Sequence, residues 1–252
     1  MSRPMSADPG SPREVLGRFP VWYHTQELGD GVVTPGFFDH RPYVHHFPIP
    51  DDLSGMRCLD VGTMDGFWAF EMERRGAAEV VAIDLDDPEA LDWPTLVKPR
   101  VIKTLDETKP ARFEALRHLF DSQVQRVVRS VYDLETDMGL FDVVFCGDLL
   151  LHLKDPISAL EGMRRVTRGR AIVYTIIMKG SLLTRRKPLI HFDGIDDFTW
   201  WTPNLTALVR MVKAAGFDRV EASPVINIPL TSNKMTNYRG IVTGFMDSPE
   251  TR

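Results

Sequence analysis

The chain has 252 residues, 43% of them apolar, and a formal net charge of −5. That length builds one large domain with a sizeable core, and the apolar share is ordinary for a globular protein. The mild acidic excess, 30 Lys and Arg against 35 Asp and Glu, gives no bulk pull toward nucleic acid or anionic membrane, and no apolar run is long enough to span a bilayer.

Residues 1–11 are polar and proline-rich, which predicts disorder. They carry no hydrophobic signal segment, so a cytoplasmic protein is expected. A short helix is predicted over Pro12 to Phe19. Residues 12–55 form a lid or substrate segment, "WYHTQELGDGVVTPGFFDHRPYVHHF" at its centre. Its aromatics call for a packing partner rather than a free linker. His40, His45 and His46 fall here, but adjacent His side chains diverge in extended chain and no second metal-ligand motif accompanies them, so no metal is assigned.

From Met56 to residue 247, strands and helices alternate. "RCLDVG" reads as a strand and "FWAFEMERRG" as a helix closed by Gly76. "EVVAIDLD" is the next strand. Pro88, Pro94, Pro99 and Pro110 make the following stretch largely irregular. A helix, "ARFEALRHLFD", leads to the strand "VQRVVRSVYDL", then to "FDVVFCGDLL". Asp155 and Pro156 open another helix as N-cap and first residue. "RAIVYTIIM" is a buried strand. A helix with Thr202 and Pro203 at its start runs to Gly216, with Leu205, Leu208, Val209 and Val212 on one face. Two β-like runs, "RVEASPVIN" and "YRGIVTGFM", precede a tail at 248–252. Cys58 and Cys146 lie within strands and read as buried thiols of a reducing compartment. The alternation predicts a parallel sheet covered on both faces, with ligands beyond the carboxyl ends of its strands.

The residues at those ends carry the chemistry. After the first strand stands Asp60-Val61-Gly62-Thr63-Met64-Asp65-Gly66. A dinucleotide fingerprint starting at Gly62 needs glycine at 64 and 67, where Met64 and Phe67 stand, and no Gly-Lys-Ser/Thr follows for a P-loop. After the second strand comes Asp84, placed to accept hydrogen bonds from ribose hydroxyls. After the third comes Asp133, placed to accept from an adenine amino group. After the fourth come Asp148 and His152. One strand-end acid is often a turn residue. Three in succession beside a glycine turn point to an adenosine ligand.

With those residues in place, the chain resembles class I S-adenosylmethionine-dependent methyltransferases. The resemblance is to the branch of the bacterial tRNA wobble-uridine (5-oxyacetyl-forming) methyltransferases and their small-molecule-type relatives. It rests on "WYHTQELGDGVVTPGFFDHR", "LDVGTMDGFWAFEMERRGAAEVVAIDL", "SVYDL", "FDVVFCGDLLLHLKDPISAL" and "WWTPNLTALVRMVKAAGF". It implies a Rossmann-like α/β fold: a seven-stranded, mostly parallel sheet, the last strand antiparallel, with helices on both faces. It implies S-adenosylmethionine as cofactor, with Asp60, Gly62, Thr63 and Gly66 around the methionine part. Asp84 and Leu85 would meet the ribose, Tyr132 and Asp133 the adenine, and Asp148 the sulfonium. Trp22, Tyr23 and His24 would lie over the cofactor. Met64 stands where many methyltransferases carry a middle glycine. Leu151 stands where tRNA enzymes carry a tyrosine resembling a contact to a carboxylated cofactor, which favours the ordinary one.

Methyl transfer needs placement of the acceptor against the methyl group and exclusion of water. A base is needed only for a protonated acceptor, and His152 and His24 are the candidates. Trp200 and Trp201 are candidate walls of an acceptor pocket. Lys179 and Arg185 to Lys187 follow the fifth strand and would suit an anionic acceptor. The expected partner is a small molecule methylated on O or N, with no membrane partner, nucleic acid disfavoured, and a monomer or homodimer. An RNA methyltransferase and a non-catalytic cofactor-binding module are the alternatives.

Overall fold

The computed structural model describes residues 10–102, 109–180, 183–232 and 236–247. The expectations for residues 1–9 and for the tail at 248–252 lie outside these. Ser11 caps the first helix, α1 (Pro12–Arg18), through a capping box with Glu14.

Residues 22–26 and 34–38 lie side by side, with His24 bridged in parallel to Phe38. Thr25 N donates to the Phe38 carbonyl and Thr34 N to that of Gln26. Within this loop lie two short strands, β1 (Glu27–Gly29) and β2 (Val32–Val33). Gly36 permits the pairing, because a Cβ there would stand 2.1 Å from the His24 carbonyl carbon.

The main sheet begins with β3 (Arg57–Val61), α2 (Phe67–Arg74) and β4 (Glu79–Asp84). Among its described residues, the proline-rich stretch contains a 3-10 turn, Pro88–Ala90, and the helix α3 (Lys98–Ile102). Then come α4 (Lys109–Leu119), β5 (Gln125–Val128), β6 (Phe141–Gly147), α5 (Pro156–Val166) and β7 (Thr167–Ile176). Two strands, β8 (Ile190–Phe192) and β9 (Trp201–Pro203), pair outside the sheet. The last helix, α6, is Leu205–Ala214. Its N-cap is Asn204, whose side chain accepts from Ala207 N. Thr202 and Pro203, expected at the helix start, belong instead to β9. The Pro203 carbonyl accepts from Met178 N, which holds that residue in strand pairing.

The closing strands are β10 (Arg219–Ala222), β11 (Ile226–Pro229) and β12 (Thr236–Phe245). The sheet order is β10-β12-β7-β6-β3-β4-β5. β3 to β7 pair in parallel, and β12 is antiparallel to β7. β10 and β11 both pair with β12 and together fill one position, interrupted at Ser223–Val225. The expected seven positions are therefore present.

Neighbouring residues along each strand serve opposite cores. Cys58, Val80, Phe145 and Tyr174 pack with α2, α4 and the 22–47 segment. Leu59, Val81, Val144 and Val173 pack with α5 and α6. Strands buried on both faces explain the continuous apolar runs. Cys58 and Cys146 are both buried and free.

Candidate active site

Four acids stand at the carboxyl ends of adjacent strands. Asp60 lies near the end of β3 and is buried. Burial pushes its carboxyl up to about 7, against the opposing bond from Thr63 Oγ1 at 2.7 Å. Just beyond, Gly62 N and Thr63 N both donate to the Ile83 carbonyl, locking the turn onto β4. Asp84 ends β4. Its Oδ2 accepts from Met64 N at 2.8 Å, and its Oδ1 accepts from Leu85 N at 2.8 Å and from Lys109 Nζ at 2.7 Å. Lys109 had no role in the sequence reading. Met64 itself is half-buried with a φ of 52°.

Beyond β5, Tyr132 donates its hydroxyl hydrogen to Asp92 Oδ2 at 2.8 Å, and Asp133 is exposed. Burial, with Asp92 close by, pushes the Tyr132 phenol well above its ordinary range. Asp148 follows β6 with a φ of 47°, and its N–H donates to the Tyr174 carbonyl at 2.7 Å. The space that a Cβ would take at Gly66 holds the rings of Phe70 and Phe113. That packing and the φ of 85° already require glycine there.

The lid segment is tied to the turn by a residue the sequence reading quoted without using. Asp65 Oδ2 accepts from Tyr23 N at 3.0 Å and His24 N at 2.9 Å, and its Oδ1 pairs with His24 Nδ1. Burial would raise this carboxyl, but His24 and Arg112 outweigh it and hold it below its ordinary value. Trp22 is buried beneath the same segment, whereas Tyr23 is half-exposed.

The other expected residues fall into separate places. His152 Nδ1 bonds the Phe198 carbonyl at 2.8 Å, and its ring lies against Trp93 at 4.3 Å. Burial lowers its pKa. Trp200 Nε1 donates to the Asp92 carbonyl at 2.6 Å and Trp201 Nε1 to that of Leu153 at 3.1 Å. Both indoles therefore anchor the β8–β9 hairpin. Lys179 is exposed, with its Nζ donating to the Tyr238 hydroxyl at 3.1 Å. His40 is buried with its Nε2 3.3 Å from the Tyr174 hydroxyl, while His45 and His46 are exposed. A groove lined by Leu28, Arg41, Phe67, Phe70 and Glu73 contains none of the four acids.

A family model described as a methyltransferase domain matches residues 41–222. The chain belongs to this methyltransferase family. Among curated proteins it is 25% identical over 189 residues to a tRNA U34 carboxymethyltransferase of Ectopseudomonas mendocina, covering 74% of this chain and 52% of that one. The protein of the same description from Wolinella succinogenes is 23% identical over 226 residues, covering 87% and 70%. The chain spans about half the length of several curated relatives it matches. Among solved structures, the N-terminal domain of EvdMO1 with SAH bound superposes with a TM-score of 0.61 at 17% identity, covering 94% of this chain and 95% of that one. Magnesium protoporphyrin IX methyltransferase of Synechocystis PCC 6803 does so with a TM-score of 0.51 at 14% identity, covering 77% and 76%.

Family and fold agree on a class I S-adenosylmethionine-dependent methyltransferase. The acids at successive strand ends are hydrogen-bond acceptors of the kind that ribose hydroxyls and an adenine amino group would need. The residues missed by sequence reading are Asp65, Lys109, Asp92, Tyr174 and Arg239. Only Asp65 and Arg239 carried a local signal, an acid inside the glycine turn and a lone charge in an apolar strand.

Proposed function

We propose that this protein methylates a small-molecule acceptor on oxygen or nitrogen. The observation that carries the reading is the 22–40 segment. It folds over the glycine turn, is clamped there by Asp65, and joins the core through Trp22 and His40. A buried roof of this kind suits a compact acceptor better than a polynucleotide, which needs an open basic face.

Bound S-adenosylmethionine supplies an electrophilic methyl on its sulfonium. Asp84 and Asp133 would hold its adenosine, and Asp60, Gly62, Thr63 and Gly66 would border its methionine part. Leu85, Tyr132, Trp22 and Tyr23 would complete the walls. His24 is the better placed of the two candidate bases. Its Nδ1 is pinned by Asp65, and its Nε2 has no hydrogen-bond partner among the described residues. That is the geometry of a histidine held in one tautomer with its second nitrogen ready to accept a proton.

The nearly full-length match to the EvdMO1 domain, also described in the presence of SAH and D-fucose, supports a small acceptor. The named activity of the curated relatives favours a second reading, transfer to tRNA uridine. Incubation with methyl-labelled S-adenosylmethionine and either bulk tRNA or an RNA-free metabolite extract separates the two. Label is expected in the metabolite fraction. Label confined to tRNA would replace the first reading by the second.

A further inference from the structure

Arg239 lies in β12 among apolar neighbours, and it is fully buried. Its side chain is on the face of the sheet that carries Tyr174 and the lid segment, between the rings of Phe38 at 4.7 Å and Tyr174 at 5.7 Å. Nε donates to Asp148 Oδ2 at 3.0 Å, and Nη1 donates to the Ile228 carbonyl at 3.1 Å. Two atoms of this ion pair remain. Arg239 Nη2 and Asp148 Oδ1 are both buried and have no hydrogen-bond partner among the described residues. Leaving a buried charged donor and a buried carboxylate oxygen unmatched is strongly unfavourable. A pair kept only for stability would use those positions.

The location gives the pair its meaning. Asp148 is the first residue after β6, and Arg239 is level with Ile176 at the end of β7. Both are therefore at the carboxyl edge of the sheet, where ligands of such folds bind. Tyr23 of the lid segment packs against Phe38 at 5.5 Å, the same ring that Arg239 lies over.

We propose that the Arg239–Asp148 pair is the acceptor-binding edge of the site and takes a neutral hydroxyl group, as in a phenol or alcohol. Nη2 donates to the hydroxyl oxygen, and Oδ1 accepts its hydrogen. One donor beside one acceptor matches a hydroxyl, which is both. The charge of Arg239 is already balanced by Asp148, so an anionic acceptor gains nothing from the pair and meets a carboxylate. This rests on the methyltransferase reading and adds the acceptor's chemistry to it.

The test uses the full chain saturated with S-adenosylhomocysteine, with binding read by saturation-transfer NMR. The probes are phenol, catechol and benzyl alcohol, with toluene and benzoate as controls. The hydroxyl probes are expected to bind the native protein and to weaken at least about tenfold in Arg239→Lys and Asp148→Asn. Lysine keeps the charge but replaces the guanidinium fork with a single donor nitrogen, and a cooperative thermal unfolding transition confirms that each variant is folded. If Arg239→Lys does not fold, Asp148→Asn alone decides. Equal binding to native and variant protein, or no hydroxyl probe bound while S-adenosylhomocysteine binds, overturns the proposal. Failure of the native protein to bind S-adenosylhomocysteine overturns the methyltransferase reading instead.

Discussion

The two halves of the sheet present their strand ends in different ways. Along β3, β4 and β5, Asp60 and Asp84 each have one partner close in sequence, Thr63 and Leu85, beside longer reaches from Met64 and Lys109 to Asp84 and from Tyr132 to Asp92. Along β6, β7 and β12, every key pair is long-range. Asp148 meets Arg239 across 91 residues, His152 meets Phe198 across 46, and His40 meets Tyr174 across 134. The lid's clamp, His24 on Asp65, spans 41. The half proposed for adenosine thus rests in part on local bonds. The half proposed for the acceptor is assembled by tertiary packing, and it contains the unmatched buried polar atoms of the Asp148–Arg239 pair. The residues proposed for the cofactor are partly legible in short segments, whereas those proposed for the acceptor depend on where distant segments meet.

Four substitutions test that contrast. The largest effect is expected from Asp84→Ala, which removes the proposed ribose acceptor. Two lost charge-assisted bonds amount to about 4 kcal/mol, on the order of a thousandfold in Kd for S-adenosylhomocysteine by calorimetry. Unchanged affinity would remove Asp84 from the site.

Asp65→Ala should break the acceptor half through its clamp. Tyr23 N, His24 N and His24 Nδ1 lose their shared partner. A stability loss of about 3–5 kcal/mol is expected in urea unfolding. A loss below about 1 kcal/mol would show that the lid stays in place without it.

Asp60 offers a pH-dependent test of the β3–β5 half. Its folded pKa of about 7 lies above the ordinary 3.8. The folded state therefore binds the proton more tightly than the unfolded state. The resulting stability is fully present below the unfolded value and is lost as pH rises through about 7. Asp60→Asn does not titrate. Its stability relative to the native protein should rise across that window by up to about 4 kcal/mol. Thermal unfolding from acid to neutral pH checks this, and a pH-independent difference would contradict the buried charge.

The smallest effect belongs to Trp201→Phe. The indole donates to the Leu153 carbonyl at 3.1 Å and to that of Lys154 at 3.2 Å. Its loss should lower stability by about 1 kcal/mol. Affinity for S-adenosylhomocysteine should remain within about twofold. A larger loss of affinity would return Trp201 to the ligand site.

Much of the fold was readable because its signals are short. Apolar runs of strand length, Gly76 after α2, and Asp155-Pro156 before α5 each act within a few residues. The exception at α6 is instructive. Thr202-Pro203 has the sequence of a helix start, but pairing of β9 with β8 draws both residues into a strand and passes the cap to Asn204. The same limit applies at the site. Trp200 and Trp201 have the composition of an acceptor wall, and only the folded chain shows that their indole hydrogens also anchor the β8–β9 hairpin. Asp92, in the stretch read as irregular, supplies the carbonyl for Trp200 and the carboxylate for Tyr132.

The sequence by itself determined the strand–helix alternation, the glycine turn and the acids Asp60, Asp84, Asp133 and Asp148 at the strand ends. Those follow from residue periodicity and from turn chemistry that acts over a few positions. Only the tertiary structure decided that Asp65 holds the lid, that Lys109 backs Asp84, and that Arg239 reaches Asp148. A lone buried charge has no local signature; its partner is chosen by which strands lie side by side and which face each residue takes.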